Sequence, residues 1–162
     1  MSSRFAVPLV IGLAAVAAMV LGLLWIQRGA HVELKGEILK IRTQELDENS
    51  SIAVIDFRFV NPADYPFIVR TVDVILEDPA DRTLDGMVVA EADTQRIFDA
   101  YPLLGQKFNE SLRPRDRVEA RESQDRMIAA RFEVPVGVLN SRKQFTVRVE
   151  DVDGPVSEIR EK

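Results

Sequence analysis

Four arginines, Arg113, Arg115, Arg117 and Arg121, recur at every second position or nearly so, with Glu119 between the last two. In an extended chain, residues two apart share a face, so four guanidinium groups would line one strand surface. Guanidinium forks bind planar anions, which would suit lipid head groups or an acidic partner. The competing reading is a solvated strand face whose charges discourage edge-to-edge pairing, since Asp116, Glu119 and Glu122 dilute the field.

Acidic residues gather at Asp73, Glu77, Asp78, Asp81 and Asp85, where oxygen ligands could collect for calcium. They lack the D-x-D-x-D-G spacing of an EF-hand loop, and Pro79 and Gly86 account for them as turns. His31 is the single histidine and has no partner ligand near it in sequence. There is no cysteine, which excludes disulfides, thiolate zinc sites, iron–sulfur clusters and cysteine nucleophiles. No G-x-S-x-G elbow, Gly-rich phosphate loop or dinucleotide fingerprint is present, so no cofactor and no metal site is expected. Carboxylates assembled in space could still make a hydrolase, the weakest of the functional readings.

What positions these residues begins with an apolar run. Residues 5–26, FAVPLVIGLAAVAAMVLGLLWI, contain no charge. A helix of that length is roughly 33 Å long, against a hydrocarbon core of ~30 Å. It exceeds the about 7–15 residues of a signal h-region and lacks a small-x-small cleavage site, so the chain is expected to keep it as a single-pass anchor in the lipid bilayer. Trp25 would sit at the interface. Arg4 lies before the run and Arg28, Lys35, Lys40 and Arg42 after it, so local charge counting opposes the orientation suggested by a short N-terminal tail. The expected placement of the following domain is outside the cytoplasm, periplasmic in a Gram-negative bacterium. Ala14, Ala18 and Gly22 fall at i, i+4 and i+8, a small-residue stripe that would permit a helix dimer.

The remaining chain carries all 26 acidic residues and 20 of the 21 basic ones, a formal charge of −6. Nucleic acid is not an expected partner of so acidic a domain. Its hydropathy alternates with period two. Strands are expected over 32–43, 52–60, 67–77 and 87–90, then a hairpin of 117–121 with 127–134, then 144–152. In the second, Ala53, Ile55, Phe57 and Phe59 face one way and Asp56 and Arg58 the other. In the third, Ile68, Val72, Val74 and Leu76 share a face. Asp93 is a candidate N-cap for a helix over 94–101 that Pro102 stops. Tyr101, Leu103 and Leu104 follow as an apolar segment, either an exposed interaction patch or a cap on the core.

The expected organisation is a tail (1–4), an anchor (5–26), a linker (27–31), a domain (32–156) with a helical insert (93–109), and a fraying polar tail (157–162). About seven strands at this spacing predict an all-β, immunoglobulin- or fibronectin-like antiparallel sandwich.

The segment IAVIDFRFVNPADYPFIVRTVDVIL (52–76) resembles the central signature of the late embryogenesis abundant proteins of the second structural group, also called water-stress and hypersensitive-response domains. Phe57, Phe59, Asn61, Pro62, Tyr65, Val72 and Val74 carry the match. The resemblance implies a fibronectin- or immunoglobulin-type sandwich, sometimes membrane-anchored, with a non-catalytic binding or protective role under water stress. The insert at 93–109 is not part of that pattern. The alternative to protection is a structural or accessory subunit of a membrane complex, held by its helix and an exposed sheet edge or the insert.

Overall fold

The computed structural model describes residues 6–27 and 33–162. The tail 1–4, most of the linker 27–31, and His31 with it, lie outside the described residues. The chain divides into two units, Met1–His31 and Val32–Lys162.

The apolar run forms helix α1, Ala6–Gln27, 22 residues without an acidic or basic residue in its terminal turns. Side chains are described only for 12–22 of it, and no helical stretch so described is by itself long and apolar enough to cross a membrane. The side chain of Trp25 lies outside the described set. Within it, Ala14, Ala18 and Gly22 are all exposed, and a Cβ added at Gly22 would meet nothing within 4 Å.

The second unit is all-β and antiparallel, with short helices. Its strands are β1 (Lys35–Asp47), β2 (Ser50–Val60), β3 (Phe67–Glu77), β4 (Thr83–Val88), β5 (Arg117–Val118), β6 (Ser123–Phe132), β7 (Gln144–Asp151) and β8 (Val156–Arg160). Between β4 and β5 lie α2 (Glu91–Ala100) and a 3-10 turn (Pro102–Leu104), and α3 (Val136–Asn140) precedes β7. The sheet runs β1-β2-β6-β4-β3-β7-β8, with β5 attached to β3. It curls so that the inward faces of β2, β3, β6 and β7 meet in one core, built around Phe57, Phe59, Phe132 and Phe145. The first and last strands approach each other, where the Leu34 amide donates to Ser157 Oγ at 2.8 Å.

Strand β4 makes the curl. Thr83–Gly86 pair with β3, whereas Met87 and Val88 pair with β6. The handover sits at Gly86, where a Cβ would meet the Phe132 ring at 2.6 Å and Ala130 Cβ at 2.9 Å. A side chain there would push β4 off the aromatic floor.

The Asn-Pro turn has a physical basis in the structure. Asn61 is fully buried; its Oδ1 accepts from the Ala63 amide at 3.0 Å. Its amide donates to the Tyr65 carbonyl at 2.8 Å and the Glu119 carbonyl at 3.1 Å. One side chain thus ties the β2–β3 turn to the segment before β6.

Several sequence expectations need correction. The hairpin of 117–121 with 127–134 does not form: β5 has two residues and pairs Phe67 with Val118 and Ile68 with Arg117. Ile68 does not share the core face of β3, because an irregularity between Val69 and Thr71 shifts the alternation, so Phe67 and Val69 join Val72, Val74 and Leu76 inside. Asp93 is not the N-cap of α2. That position is Ala90, without a side-chain cap, and Asp93 lies in the first turn. Residues 157–162 do not form a free tail, because β8 pairs with β7 and buries Ile159 completely.

Gly86→Ala is expected to cost about 1–3 kcal/mol through overpacking against Phe132. Gly137→Ala, in α3 with no atom within 4 Å of the new Cβ, is expected to be neutral or slightly stabilising. Urea denaturation of the two variants checks both.

Candidate functional site

The outward face of β2 carries Ile52, Val54 and Asp56, all buried, so this strand is covered on both sides. On the outward side a second apolar cluster forms: Ile52, Val54, Met127 and Ala129 lie under Phe98 of α2 and Leu104 of the 3-10 turn. The insert therefore roofs the sheet. Its amphipathic helix has Thr94 and Phe98 buried, and Ile97 and Tyr101 pack at the margin.

At the edge of this roof sits a buried polar node. Arg42 of β1 and Asp56 of β2 pair at 2.6 Å, with side chains 9% and 5% exposed. The second oxygen of Asp56 accepts from the Asn109 amide at 2.9 Å. Arg42 Nη1 donates to the carbonyls of Leu104 and Gln106, each at 2.8 Å. The guanidinium lies 5.1 Å from the Phe98 ring centre and 5.6 Å from that of Phe108. Both ends of the insert are also tied together: Glu91 pairs with Lys107 and accepts from the Ser111 amide at 3.3 Å. Burial opposes the charge on Glu91, but the bonds from Lys107 and Ser111 outweigh it and hold its carboxyl below the usual range.

The node is a fastening: both Arg42 Nη atoms and both Asp56 oxygens are bonded within the domain, and only the buried Arg42 Nε lacks a partner among the described residues. Asp56 was legible as an outward polar residue on β2, but Arg42 and Asn109 gave no sequence signal of meeting it. They come from strands and loops far apart in the chain.

The apolar segment after α2 divides. Leu104 is buried under the roof and Tyr101 half-buried, while Leu103 is 90% exposed and Phe108 63% exposed. Phe108 also has Lys40 5.6 Å from its ring centre.

The arginine row does not line one face. Arg115 and Arg121 adopt φ of 74° and 61°, left-handed values that break any extended run. Arg113 faces Asp116 at 3.7 Å, Arg117 bonds Glu119 at 2.7 Å, and Arg121 bonds Asp64 at 2.8 Å. That last bond holds the Asp64 carboxyl below its usual range. Arg115 is in no ion pair among the described residues. The geometric premise of a four-guanidinium anion surface is therefore lost.

Three members of the acidic stretch, Glu77, Asp78 and Asp81, are likewise engaged in bonds within the domain. Asp78 accepts from the Arg82 and Ala80 amides at 3.0 and 2.8 Å, which hold its carboxyl low despite its burial. Lys143 bridges Glu77 at 2.6 Å and Asp81 at 2.5 Å, and those bonds raise its ammonium. Among the described residues no three His, Asp or Glu side chains converge as a metal site would require.

Asp151 closes the turn into β8. Burial raises its carboxyl above the usual range, and the neighbouring Asp153 charge adds to the effect.

No protein-family model matches the chain. No curated protein matches it. Among solved structures it is similar to the archaellum periplasmic stator protein FlaG from Sulfolobus acidocaldarius, with 8% identity over 78% of this chain and 98% of that one, at a TM-score of 0.33. It is also similar to the Iho670 flagellar-like filament, with 16% identity over 98% of each chain and a TM-score of 0.35. At these scores neither likeness indicates a shared fold.

Arg42→Ala is expected to destabilise the domain by about 3–5 kcal/mol, because it leaves Asp56 buried and unpaired. The apolar pair Arg42→Met with Asp56→Leu is expected to cost less than either Arg42→Met or Asp56→Leu alone, a coupling that a double-mutant cycle in urea would read. For Asp151 the folded carboxyl holds its proton more tightly than the unfolded one. Its ionisation therefore costs stability above the raised folded value, and the cost is relieved as pH falls through it. Asp151→Asn should raise the melting temperature at pH 7, with the gain vanishing on acidification.

Proposed function

We propose that this chain is a membrane-tethered, non-catalytic β-domain that presents a binding surface outside the cytoplasm. The carrying observation is helix α1: 22 residues from Ala6 to Gln27 with no charged side chain, in a unit separate from the folded domain. Its length matches a bilayer core, and its uncharged body argues against proton or ion conduction along it.

An immunoglobulin-type sandwich is the architecture this reading assigns to the domain. Supporting it, β1-β2-β6-β4 follow the order A-B-E-D of one constant-type sheet, and β3-β7-β8 follow C-F-G of the other. The absence of catalysis is supported by the engagement of the acidic and basic side chains with one another. The resemblance of residues 52–76 to the late embryogenesis abundant group adds a protective role under water stress to the proposal. The alternative, an accessory subunit of a membrane complex or a homodimer through Ala14, Ala18 and Gly22, is favoured by the exposed side chains of Leu103, Phe108 and Met87.

Val16→Arg places a charge at the middle of α1, at a cost of about 2.5–3.5 kcal/mol for insertion. The wild-type chain should remain with membranes through alkaline carbonate extraction, and the variant should be released. A wild-type chain released with it would remove the tether. Digestion of the domain by protease added to intact spheroplasts would support the extracytoplasmic side, and protection until the spheroplasts are lysed would overturn it.

A further inference from the structure

Where β4 parts from β6, the sheet has a gap. The last paired residues are Met87 with Arg131, and beyond them a cleft of 450 Å³ opens between the two strands. Backbone direction there follows from the pairing. The Val89 amide donates to the Ala129 carbonyl at 2.9 Å, and the Met127 amide and carbonyl bond the segment at 110–112 on the same edge of β6. Alternation then aims the backbone groups of Arg131 and, just past the end of β6 at Phe132, the Glu133 amide toward the cleft, and the backbone groups of Met87 and Asp85 out of β4 toward it. Met87 and Arg131 satisfy each other. Asp85 and Glu133 would be the next pair, but the strands have separated and the register stops. Asp85 therefore offers an unpaired amide and carbonyl, and Glu133 an unpaired amide, to the same space.

The side chains divide by the same parity. Leu84, Phe132 and Val134 form an apolar floor continuous with the core. Asp85 and Glu133 stand exposed on the outer rim of the open end, with Arg131 at the closed end.

We infer that this gap accepts the end of an extended peptide from a protein partner, inserted as a short strand between β4 and β6. The occupant's chemistry follows from the walls. One side chain must be apolar to meet Leu84, Phe132 and Val134. The next must be basic to lie between the carboxylates of Asp85 and Glu133. The Met87–Arg131 pair blocks the far end, so the occupant enters as a chain terminus or a hairpin tip and does not thread through. Two-sided backbone pairing supplies affinity, and the apolar–basic alternation supplies selection. This identifies the partner class of the binding reading above and rests on it.

The test uses the full chain in detergent micelles and two probes, a pentapeptide alternating valine and lysine and its counterpart alternating valine and glutamate. The lysine peptide should bind roughly tenfold tighter and slow amide hydrogen exchange at Asp85 and Glu133. Gly86, already paired with Val74 of β3, should change little. Asp85→Lys with Glu133→Lys, both at exposed positions, should invert the peptide preference. Absence of protection at both amides, or a preference unchanged by the charge reversal, overturns the proposal. Membrane retention is read in a separate assay, so failure of the peptide cleft and failure of the tether are told apart.

Discussion

The pairing of Arg42 with Asp56 is the constraint on which the domain's layering depends. Two charges are withdrawn from water at a desolvation cost of several kcal/mol each, which an ion pair alone seldom repays. Here most of the remaining hydrogen-bonding capacity is directed at the insert, with only Arg42 Nε left without a partner: Asn109 caps the carboxylate, and the Leu104 and Gln106 carbonyls take one arm of the guanidinium. The pair can therefore be satisfied only when the roof is seated. In turn the roof covers Ile52, Val54, Met127 and Ala129, making β2 a strand with two buried faces. Slippage of β1 by one residue would move Arg42 to the inward side and expose an unpaired Asp56. The node thus fixes register as much as it adds stability.

A second constraint is geometric and lies at Gly86. A single strand serves both halves of the curled sheet only because it crosses the Phe132 ring without a side chain. The crossing lets the inward faces meet without a separate connecting strand. Its consequence is an interruption in the ladder, since Thr83–Gly86 turn to β3 while β6 stays paired only with β2. Elsewhere the edges are managed: β1 meets β8 through Leu34 and Ser157, and Lys162 reaches Glu37 at 3.2 Å. The gap beside Gly86 is where the curl leaves backbone groups unanswered.

The strands with strong alternation were legible in sequence. Residues 144–152 read correctly because Phe145, Val147 and Val149 recur every second position with polar residues between them. The run Ile52–Ile55 held a further signal, four consecutive apolar residues, which is how a strand buried on both faces reads. What failed had a common cause, backbone features that side-chain pattern does not encode. The shift near Arg70 exchanged the faces of β3, so Ile68 and Val69 traded places. Left-handed residues at Arg115 and Arg121 dissolved an apparent strand of charges, since arginine carries no preference that announces such a turn. Strand β8 was hidden because its one fully buried large apolar residue, Ile159, stands among Ser157, Glu158 and Arg160. The node itself joins residues 14 apart with others more than 50 positions away, a distance over which local pattern is silent.

The surface charges narrow what this domain can recognise. Arg58 bonds Asp125, and Arg148 and Arg160 both reach Glu158. Exposed pairs of this kind are each worth only about 0–1 kcal/mol, so they contribute little to stability. Their larger effect is to cancel one another, so that in a chain of net charge −5 the described charges left outside ion pairs, such as Asp85, Asp99 and Glu133, are mainly carboxylates. Recognition by such a surface must draw on groups that internal pairing leaves free, namely exposed side chains, apolar or carboxylate such as Asp85 and Glu133, and backbone donors and acceptors. Both occur beside Met87, where the ladder ends. Long-range steering would be weak there, and selection would fall to the short-range fit of alternating side chains.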